Sequence, residues 1–282
     1  MVEQMKESRK KKLNILISNQ CFLKCDGCYN RFKSKELKLD ELKEFLQFVK
    51  SNEINNLTLS GGDPLTRDDI AEILSFLMKL DFKITLDTVG TTFISDAEIS
   101  QHKLQKIKNI ELFKKLDMLG IPLDGSDDKT ISSFRGGREN IFDEQMRILR
   151  ELDKNEIGFC VNTIYHNKNK SDMSNIHNMI KDFRNLKKWQ IFQFMPIGYS
   201  GKKNAGKFIV TTNDLLDLDR ELKSLKSKSN FDIVLKTAKE RSFNYMFIAS
   251  DGEAYKTDIS DSKEVFGDVN KKETWNNIIN NL

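Results

Sequence analysis

Six strand-like runs, each leading into a helix-like stretch, constrain the fold of this 282-residue chain more than any other feature. The runs are LNILIS (13–18), NLTLS (56–60), KITLDT (83–88), LDMLGIPLDG (116–125), IGFCVNTIY (157–165) and WQIFQFMPIG (189–198). Alternation of strands and helices predicts a parallel sheet that helices cover. We therefore expect an α/β fold built from six β-then-α units.

The three prolines of the chain mark the ends of predicted strands. Pro64, Pro122 and Pro196 each lie at or near the C-terminal end of a strand-like run. Proline removes a hydrogen-bond donor from a sheet, so it fits where a strand stops and a loop begins. In α/β sheets this edge is also where ligands bind. The pattern predicts one functional rim.

The last part of the chain has a different character. The stretch FNYMFIASDGEAYK (243–256) predicts a hairpin that turns at Asp251 and Gly252, and ETWNNIINNL (273–282) predicts a short terminal helix. We expect a basic tail over residues 1–12, the main α/β unit over residues 13–212, and a C-terminal extension on that unit over residues 213–282.

Composition excludes several classes of protein. A hydrophobic content of 38% is enough for a sizeable core, so a disordered chain is not expected. The 46 basic and 42 acidic residues leave a dispersed surplus of +4, which does not indicate nucleic-acid binding. No apolar run approaches the ~18 residues of a membrane span, and no signal peptide is visible. We expect a cytoplasmic protein without a membrane or nucleic-acid partner.

Three of the four cysteines lie within eight residues, directly after the first strand-like run. Cys21, Cys25 and Cys28 form the pattern C-x3-C-x2-C, whereas Cys160 lies inside a predicted strand. Thiolates are soft ligands that suit iron–sulfur clusters and zinc. A closed zinc site needs four ligands, and no fourth is obvious here. Three thiolates would leave one iron of a cluster open; a zinc knot and a chance grouping of thiols remain the alternatives.

This cysteine pattern after the first strand resembles the signature of radical S-adenosylmethionine (SAM) enzymes. The resemblance covers about residues 13–198 and implies a partial (β/α)6 barrel. It implies that Cys21, Cys25 and Cys28 hold a [4Fe–4S] cluster, and that SAM binds the open iron. An electron from a reductant such as flavodoxin or ferredoxin then cleaves SAM to a 5′-deoxyadenosyl radical, which abstracts a hydrogen atom from the substrate. Tyr29 matches an aromatic position near the adenine of SAM.

A second motif supports the resemblance. SGGDPL contains Gly61, Gly62, Asp63 and Pro64, and it is similar to the GGE motif with which this family binds the amino group of SAM. Two glycines let the backbone approach a ligand closely, and a carboxylate suits an ammonium group. Asp63 stands where the family usually has Glu. Taken alone, GGDP would be an ordinary turn.

Further positions match the family less specifically. Arg135 in FRGG is a candidate for the SAM carboxylate, because a guanidinium can bind it with two hydrogen bonds; the alternative is a surface residue that caps a loop. Met195 is expected to pack on the adenine or in the core. The remaining expected contacts to SAM or substrate are Thr88, Asp124, Asn162 and Gln193.

The extension contains no further cysteines, so we expect one cluster and interpret the extension as a lid over the barrel mouth. Several stretches from the fourth strand onward are similar to viperin-type enzymes, which dehydrate CTP. This similarity predicts a small-molecule substrate such as a nucleotide. The candidate basic ligands are Lys202, Lys203, Lys207, Lys236, Lys239 and Arg241.

Three alternative interpretations stay open. In the first, the lysine runs are solvated loops that bind no ligand. The match to viperin-type enzymes is also incomplete, because Cys160 and Gln190 stand where those enzymes place lysines in strands five and six. A second function is radical modification of a ribosomally made peptide with a separate partner protein. A third is a non-catalytic iron–sulfur or zinc-binding module.

The remaining notable side chains have plain interpretations. His102, His166 and His177 are scattered, and we interpret them as surface or helix residues. Trp189 and Trp275 are expected to anchor packing. The sequence indicates no catalytic acid or base.

Overall fold

One large sheet organises the described part of the chain, which in this computed structural model is residues 11–31, 35–99, 102–106 and 110–282. The strands of the described residues are β1 (Lys12–Ser18), β2 (Lys24–Cys25), β3 (Asn56–Gly61), β4 (Lys83–Asp87), β5 (Ala97–Ile99), β6 (His102–Leu104), β7 (Met118–Pro122), β8 (Arg135–Gly136), β9 (Phe159–Tyr165), β10 (Leu186–Gln193), β11 (Asp232–Lys236), β12 (Met246–Ile248), β13 (Glu253–Thr257) and β14 (Lys263–Asp268). The sheet order is β11-β10-β9-β7-β4-β3-β1-β12-β13-β14. The strands from β11 to β12 in this order are parallel, and β13 and β14 are antiparallel additions.

Helices connect the parallel strands. They are α1 (Leu39–Ser51), α2 (Ile70–Lys79), α3 (Glu111–Lys114), α4 (Asp128–Ser132), α5 (Ile141–Lys154), α6 (Met173–Ile180), α7 (Gly198–Lys203), α8 (Ala205–Phe208), α9 (Thr212–Lys226), α10 (Ala238–Arg241) and α11 (Trp275–Asn280). In α1 the buried residues Leu42, Phe45, Leu46 and Val49 recur at helical spacing, so one stripe of the helix packs on the sheet. None of the described helices is both long and apolar enough to cross a bilayer.

The six expected strands are confirmed as β1, β3, β4, β7, β9 and β10, and they are neighbours in that order. Two further parallel strands come from the C-terminal part: β11 pairs with β10, and β12 pairs with β1. Sequence inspection did not predict these pairings. A partial barrel leaves unpaired backbone groups at both edges, and these two strands cover them.

The C-terminal hairpin and terminal helix are also confirmed. Strands β12 and β13 pair with Phe247 opposite Tyr255, and the turn between them contains Gly252 at a φ of 102°. Trp189 and Trp275 are buried, as expected of packing residues. The basic tail expected over residues 1–12 lies, up to residue 10, outside the described residues.

Alternation along the central strands gives the sheet two different faces. In β4, the buried residues Ile84 and Leu86 alternate with the half-buried residues Thr85 and Asp87. The strand registers place the half-buried residues of neighbouring strands on the same side, because side chains alternate along each strand. We call this side the inner face; it carries Asn14, Thr85, Asp87, Cys160, Asn162, Lys188 and Gln190.

Candidate functional site

The cysteines lie on a loop of residues 19–31 that follows β1, which we call the cysteine loop. Cys21, Cys25 and Cys28 are half-buried, whereas Lys24 and Asp26 between them are exposed. The backbone N–H of Cys28 donates to the carbonyl of Cys25 at 3.2 Å, and the N–H of Asp26 donates to the carbonyl of Phe134 at 2.8 Å. The loop is therefore folded back on itself and tied to the segment after α4.

Gly27 lets the cysteine loop lie directly on an aromatic cluster. A Cβ added at Gly27 would overlap the Phe134 ring and would lie 2.9 Å from the Phe194 ring. Phe134, Phe194 and Phe208 form one buried cluster, against which Cys25 packs. A side chain at position 27 would push the cysteine loop away from this support.

The three thiols fit an iron–sulfur cluster better than a single metal ion. Burial raises the pKa of each thiol, to about 12 for Cys25, where the neighbouring Arg135 acts in the opposite direction. Among the described residues, no three Cys, His, Asp or Glu side chains converge on a point that could hold one metal ion. A zinc ion requires such convergence. A cluster instead takes each thiolate on a different iron, so this donor set fits it.

The GGDP turn packs on the start of the cysteine loop. The N–H of Gly62 donates to the carbonyl of Ser18 at 2.7 Å, and the N–H of Asp63 donates to that of Gln20 at 2.6 Å. A Cβ at Gly62 would overlap the Gln20 carbonyl, and Gly61 has a φ of 138°. Both glycines are therefore required for the close approach of the two loops. Pro64 follows as the first residue of a 3-10 turn.

Asp63 is completely buried, and its carboxylate is engaged by the protein itself. Its oxygens accept hydrogen bonds from the N–H of Leu65 at 2.9 Å, the hydroxyl of Thr88 at 2.7 Å and the N–H of Val89 at 2.6 Å. Burial raises the pKa of Asp63 to about 6. The side chains of Asp63 and Thr88, both expected at the SAM site, thus join the loops after β3 and β4 to each other.

Arg135 lies beside the cysteine loop, because β8 pairs with β2 and places it opposite Cys25. Its Nε donates to Oδ2 of Asp124 at 2.6 Å, and its Nη1 lies 3.9 Å from the Cys25 sulfur. Asp124 is fully buried, and its other oxygen accepts the N–H of Ile164 at 2.7 Å. The structure therefore brings Asp124 and Arg135, both expected at the SAM site, to the cysteine loop as an ion pair.

A chain of hydrogen bonds crosses the inner face from β4 to β11. Asn162 donates to Asp87 at 3.0 Å, Gln190 donates to Asn162 at 2.9 Å, and the Lys236 ammonium donates to Gln190 at 2.6 Å. Gly120 leaves room for it, since a Cβ there would overlap Asp87. We call Asp87, Asn162, Gln190 and Lys236 the inner-face network.

Positive charge surrounds this network. Burial foremost lowers the pKa of Lys236 to about 8, and the charges of Lys12 and Lys188 lower it further, while Asp87 acts in the opposite direction. Burial also lowers the pKa of Lys12 and raises that of Asp87. Three ammonium groups therefore influence one region in which Asp87 is the nearby carboxylate. Sequence inspection missed Lys12, Lys188 and Asp87 here, although strand alternation could have indicated their common face.

The structure separates the other basic candidates into two groups. Arg241 lies near the inner face: its guanidinium donates to the carbonyl of Gln193 and stacks 5.5 Å from the Phe192 ring centroid. Burial lowers its pKa to about 10. In contrast, Lys202 pairs with Asp261 at 3.0 Å on an exposed surface. The remaining three basic candidates are also exposed: Lys203, Lys207 and Lys239.

Tyr29, Gln193 and Met195 lie where strand β10 leaves the sheet. Met195 is buried with Ile197, and Tyr29 packs against this pair. The Gln193 side chain accepts the N–H of Ala238 at 2.8 Å, so it holds the start of α10. Asn162, expected at the rim, instead lies within the inner-face network.

One histidine was misinterpreted from the sequence. His166 is not a surface or helix residue: it is fully buried in the turn after β9 and stacks on Phe134 with ring centroids 4.8 Å apart. Burial lowers its pKa to about 4, so it is neutral at physiological pH. His177 does lie in a helix, α6, and is buried there. The His102 side chain lies outside the described part of the chain.

Comparison with known proteins agrees with this geometry. The model of the Radical SAM superfamily matches residues 15–180. An AdoMet-dependent heme synthase of Methanosarcina barkeri is 26% identical over 182 residues, which cover 63% of this chain and 49% of that protein. A GTP 3′,8-cyclase of Clostridium perfringens is 26% identical over 227 residues, covering 76% and 64%.

The resemblance to viperin-type enzymes is also confirmed. An S-adenosylmethionine-dependent nucleotide dehydratase RSAD2 of Oncorhynchus mykiss is 23% identical over 235 residues, which cover 77% of this chain and 63% of that protein. This chain therefore spans about half to two-thirds of the length of these relatives.

A solved structure confirms the fold class. Streptococcus suis SuiB bound to S-adenosylmethionine superimposes with a TM-score of 0.71 at 16% identity, over 93% of this chain and 64% of that one. The α/β fold predicted from strand alternation, and the partial barrel implied by the radical SAM resemblance, agree with this structural similarity.

Proposed function

We propose that this chain, which belongs to the radical SAM superfamily, abstracts a hydrogen atom from a small anionic molecule, with a nucleotide as the first candidate. The family uses a [4Fe–4S] cluster and SAM, and when bound these supply a 5′-deoxyadenosyl radical. Cys21, Cys25 and Cys28 would hold the cluster. The proposal for the substrate depends on the inner face of the sheet.

The observation that carries this proposal is the charge around the inner-face network. The charges of Lys12 and Lys188 both lower the pKa of Lys236, the charge of Lys188 also lowers the pKa of Lys12, and the carboxylate of Asp87 acts in the opposite direction on both. Grouping like charges in a partly desolvated space costs free energy, and a bound anion would offset this cost by neutralising the ammonium groups. A phosphate or carboxylate group is the natural counter-ion for three ammonium groups.

The amide groups of the network suit the rest of such a substrate. Asn162 and Gln190 present both donors and acceptors on the same face, and Asp87 adds an acceptor. Side-chain amides of this kind recognise the polar edge of a nucleobase or a sugar hydroxyl. Two relatives, a nucleotide dehydratase and a GTP cyclase, are named for nucleotide substrates, which supports a nucleotide over other anions.

We assign the SAM site to the rim formed by the loops after β1, β3, β4 and β7. The close packing of Gly62 on Gln20 and the Asp63–Thr88 hydrogen bond would fix the shape of this rim. Arg135, held by Asp124, would present its remaining N–H groups to the SAM carboxylate. Tyr29 and Met195 would pack beside the adenine, with Asn162 and Gln193 between SAM and substrate. SAM bound at this rim would lie beside the inner face and would shield that space from water.

The test is reductive SAM cleavage by anaerobically reconstituted protein. We expect about four irons per chain and release of 5′-deoxyadenosine with a chemical reductant. A nucleoside triphosphate should accelerate the release in wild type and much less in Lys236→Met, whereas the exposed matched control Lys223→Met should respond as wild type does. Acceleration only by a peptide together with a partner protein would overturn the nucleotide proposal. Full cleavage in Cys25→Ala would overturn the cluster assignment.

A further inference from the structure

A short helical segment covers the outer side of the cysteine loop. Helices α7 and α8 follow β10, and Gly198 at their start lies so close to the loop that an added Cβ would be 2.7 Å from the carbonyl oxygen of Tyr29. The Asn204 side chain donates to the carbonyl of Asp26 at 2.9 Å, and the Lys207 ammonium lies 3.2 Å from the Asp26 carboxylate. Residues 198–209 and the exposed loop residues therefore form one continuous surface.

This surface combines exposed apolar side chains with lysines. Tyr199 is 77% exposed and Ile209 is 52% exposed. The lysines of the surface are Lys24, Lys202, Lys203 and Lys207, all exposed. We call Tyr199, Ile209 and these four lysines the loop-side patch. Exposed apolar side chains together with charged ones are the usual composition of a transient protein interface.

The loop-side patch has more positive than negative charge. Lys202 pairs with Asp261 and Lys207 with Asp26, but within the described chain neither Lys24 nor Lys203 forms an ion pair. The Asp261 side chain is only 5% exposed and also pairs with Arg31, so it offers little negative charge to a partner. The surface consequently favours an acidic partner.

We propose that the loop-side patch docks an acidic one-electron carrier protein of the flavodoxin or ferredoxin class. This inference rests on the proposed function, since it requires a cluster on Cys21, Cys25 and Cys28. In the docked complex the carrier is oxidised by one electron and the cluster is reduced by one; no bond breaks and no proton moves. No residue of the loop-side patch belongs to the inner-face network, so the carrier and the substrate would contact different residues.

The exposed side of the cysteine loop suits electron transfer because its exposed residues are direct neighbours of Cys25 in the chain. Lys24 and Asp26 are exposed and directly flank Cys25, so a protein seated on them is separated from that sulfur by one residue of backbone. The other sides of the loop are covered by protein: Phe22 and Leu23 are buried in the core, and Gly27 lies on Phe134. The exposed flank is therefore the short route from solvent to the cluster.

The test compares a protein reductant with a small one. We would mix the reconstituted enzyme with a reduced acidic flavodoxin and follow bleaching of the cluster absorbance by stopped flow, and measure binding of the oxidised flavodoxin by calorimetry. The variants are Lys203→Glu with Lys207→Glu, and separately Tyr199→Ala. The matched control carries the same charge change on α9, Lys223→Glu with Lys226→Glu.

We expect the charge variant to lose at least ~10-fold in reduction rate and in flavodoxin affinity at low salt. Salt should slow wild type but hardly affect the variant, because the steering charges are already gone. Tyr199→Ala should weaken binding without changing the salt dependence. Dithionite, which needs no docking surface, should reduce the cluster of every variant at the wild-type rate.

Two outcomes separate the two proposals. Reduction of the charge variant and of Tyr199→Ala by flavodoxin at the wild-type rate, with unchanged affinity, would overturn the docking surface and leave the proposed function intact. Failure of dithionite to reduce wild type would instead overturn the cluster assignment and the docking inference with it. Because Tyr199 is largely exposed, its variant remains informative even if the charge variant binds less iron.

Discussion

Two fully buried carboxylates beside the cysteine loop are stabilised in different ways. Asp63 accepts three hydrogen bonds from uncharged donors, and burial raises its pKa to about 6. Asp124 instead pairs with Arg135 at 2.6 Å. Removing one partner of such a buried pair typically costs about 3–5 kcal/mol, because the other charge stays buried. Both motif positions that resemble SAM ligands thus also hold the loops of the rim in place.

Lys236 provides a residue-scale prediction about pH. Its pKa in the folded protein is about 8, lowered from 10.5 mainly by burial. Between these values the unfolded chain binds more protons than the folded one, so this group makes stability rise with pH from about 8 to 10.5. At pH 7 its buried charge is a cost, and Lys236→Met should raise the free energy of unfolding by about 1–2 kcal/mol. Urea denaturation at pH 7 and pH 10 measures this difference.

The stability gain should shrink at pH 10, where Lys236 is neutral in the folded protein. Lys223→Met on the exposed side of α9 serves as the control and should change stability by less than about 0.5 kcal/mol at either pH. An equal gain at both pH values would contradict the lowered pKa. A loss at pH 7 would show that the hydrogen bond to Gln190 outweighs the cost of burying the charge.

At the scale of elements, the cysteine loop depends on Gly27 for its contact with the aromatic cluster. In Gly27→Ala the added methyl group would overlap Phe134, so the loop must move and the thiols lose their relative positions. We expect reconstituted Gly27→Ala to bind less than roughly half of the four irons expected for wild type. Iron and sulfide analysis with the absorbance of the cluster measures this.

The control for this substitution is Gly206→Ala in α8. A Cβ at Gly206 would have no heavy atom within 4 Å, and alanine is the better helix former, so iron content should equal that of wild type. Normal iron content in Gly27→Ala would show that the cysteine loop can shift off Phe134 without losing the cluster.

Local pattern explains which elements could be predicted from the sequence. Each of the six central strands and the C-terminal hairpin is indicated by apolar runs and turn residues that lie within about ten consecutive positions. The two-residue strands β2 and β8 have no such pattern, yet their pairing places Arg135 opposite Cys25. The inner-face network joins residues from β4, β9, β10 and β11; the sequence indicated Asn162 and Lys236 as site residues, but not that the four side chains form one network. Such a site depends on strand register, which sequence spacing does not contain.

At the scale of the whole molecule, the C-terminal extension covers the edge of the barrel sheet that strand β1 forms. Strand β12 pairs with β1 in parallel, and helix α11 covers α1. Trp275 packs against Phe45 and Phe48 of α1, with ring centroids 5.5 and 5.2 Å apart, and its indole N–H donates to the carbonyl of Val269 at 2.8 Å. We propose that residues 213–282 are an extension of the barrel and unfold together with it.

This proposal predicts that Trp275→Ala destabilises the entire chain. Truncation of a buried Trp leaves a cavity beside α1 and should lower the free energy of unfolding by about 3–5 kcal/mol. The variant retains Trp189 as its single tryptophan. Trp189 is fully buried in β10, which lies five strands away from β1 in the sheet order. Its fluorescence therefore reports on the barrel, while circular dichroism reports on all helices. We expect one shared transition at a lower midpoint by both probes, with a smaller loss in Trp275→Phe. A Trp189 transition that stays at the wild-type midpoint would show that the extension is a separate folding unit.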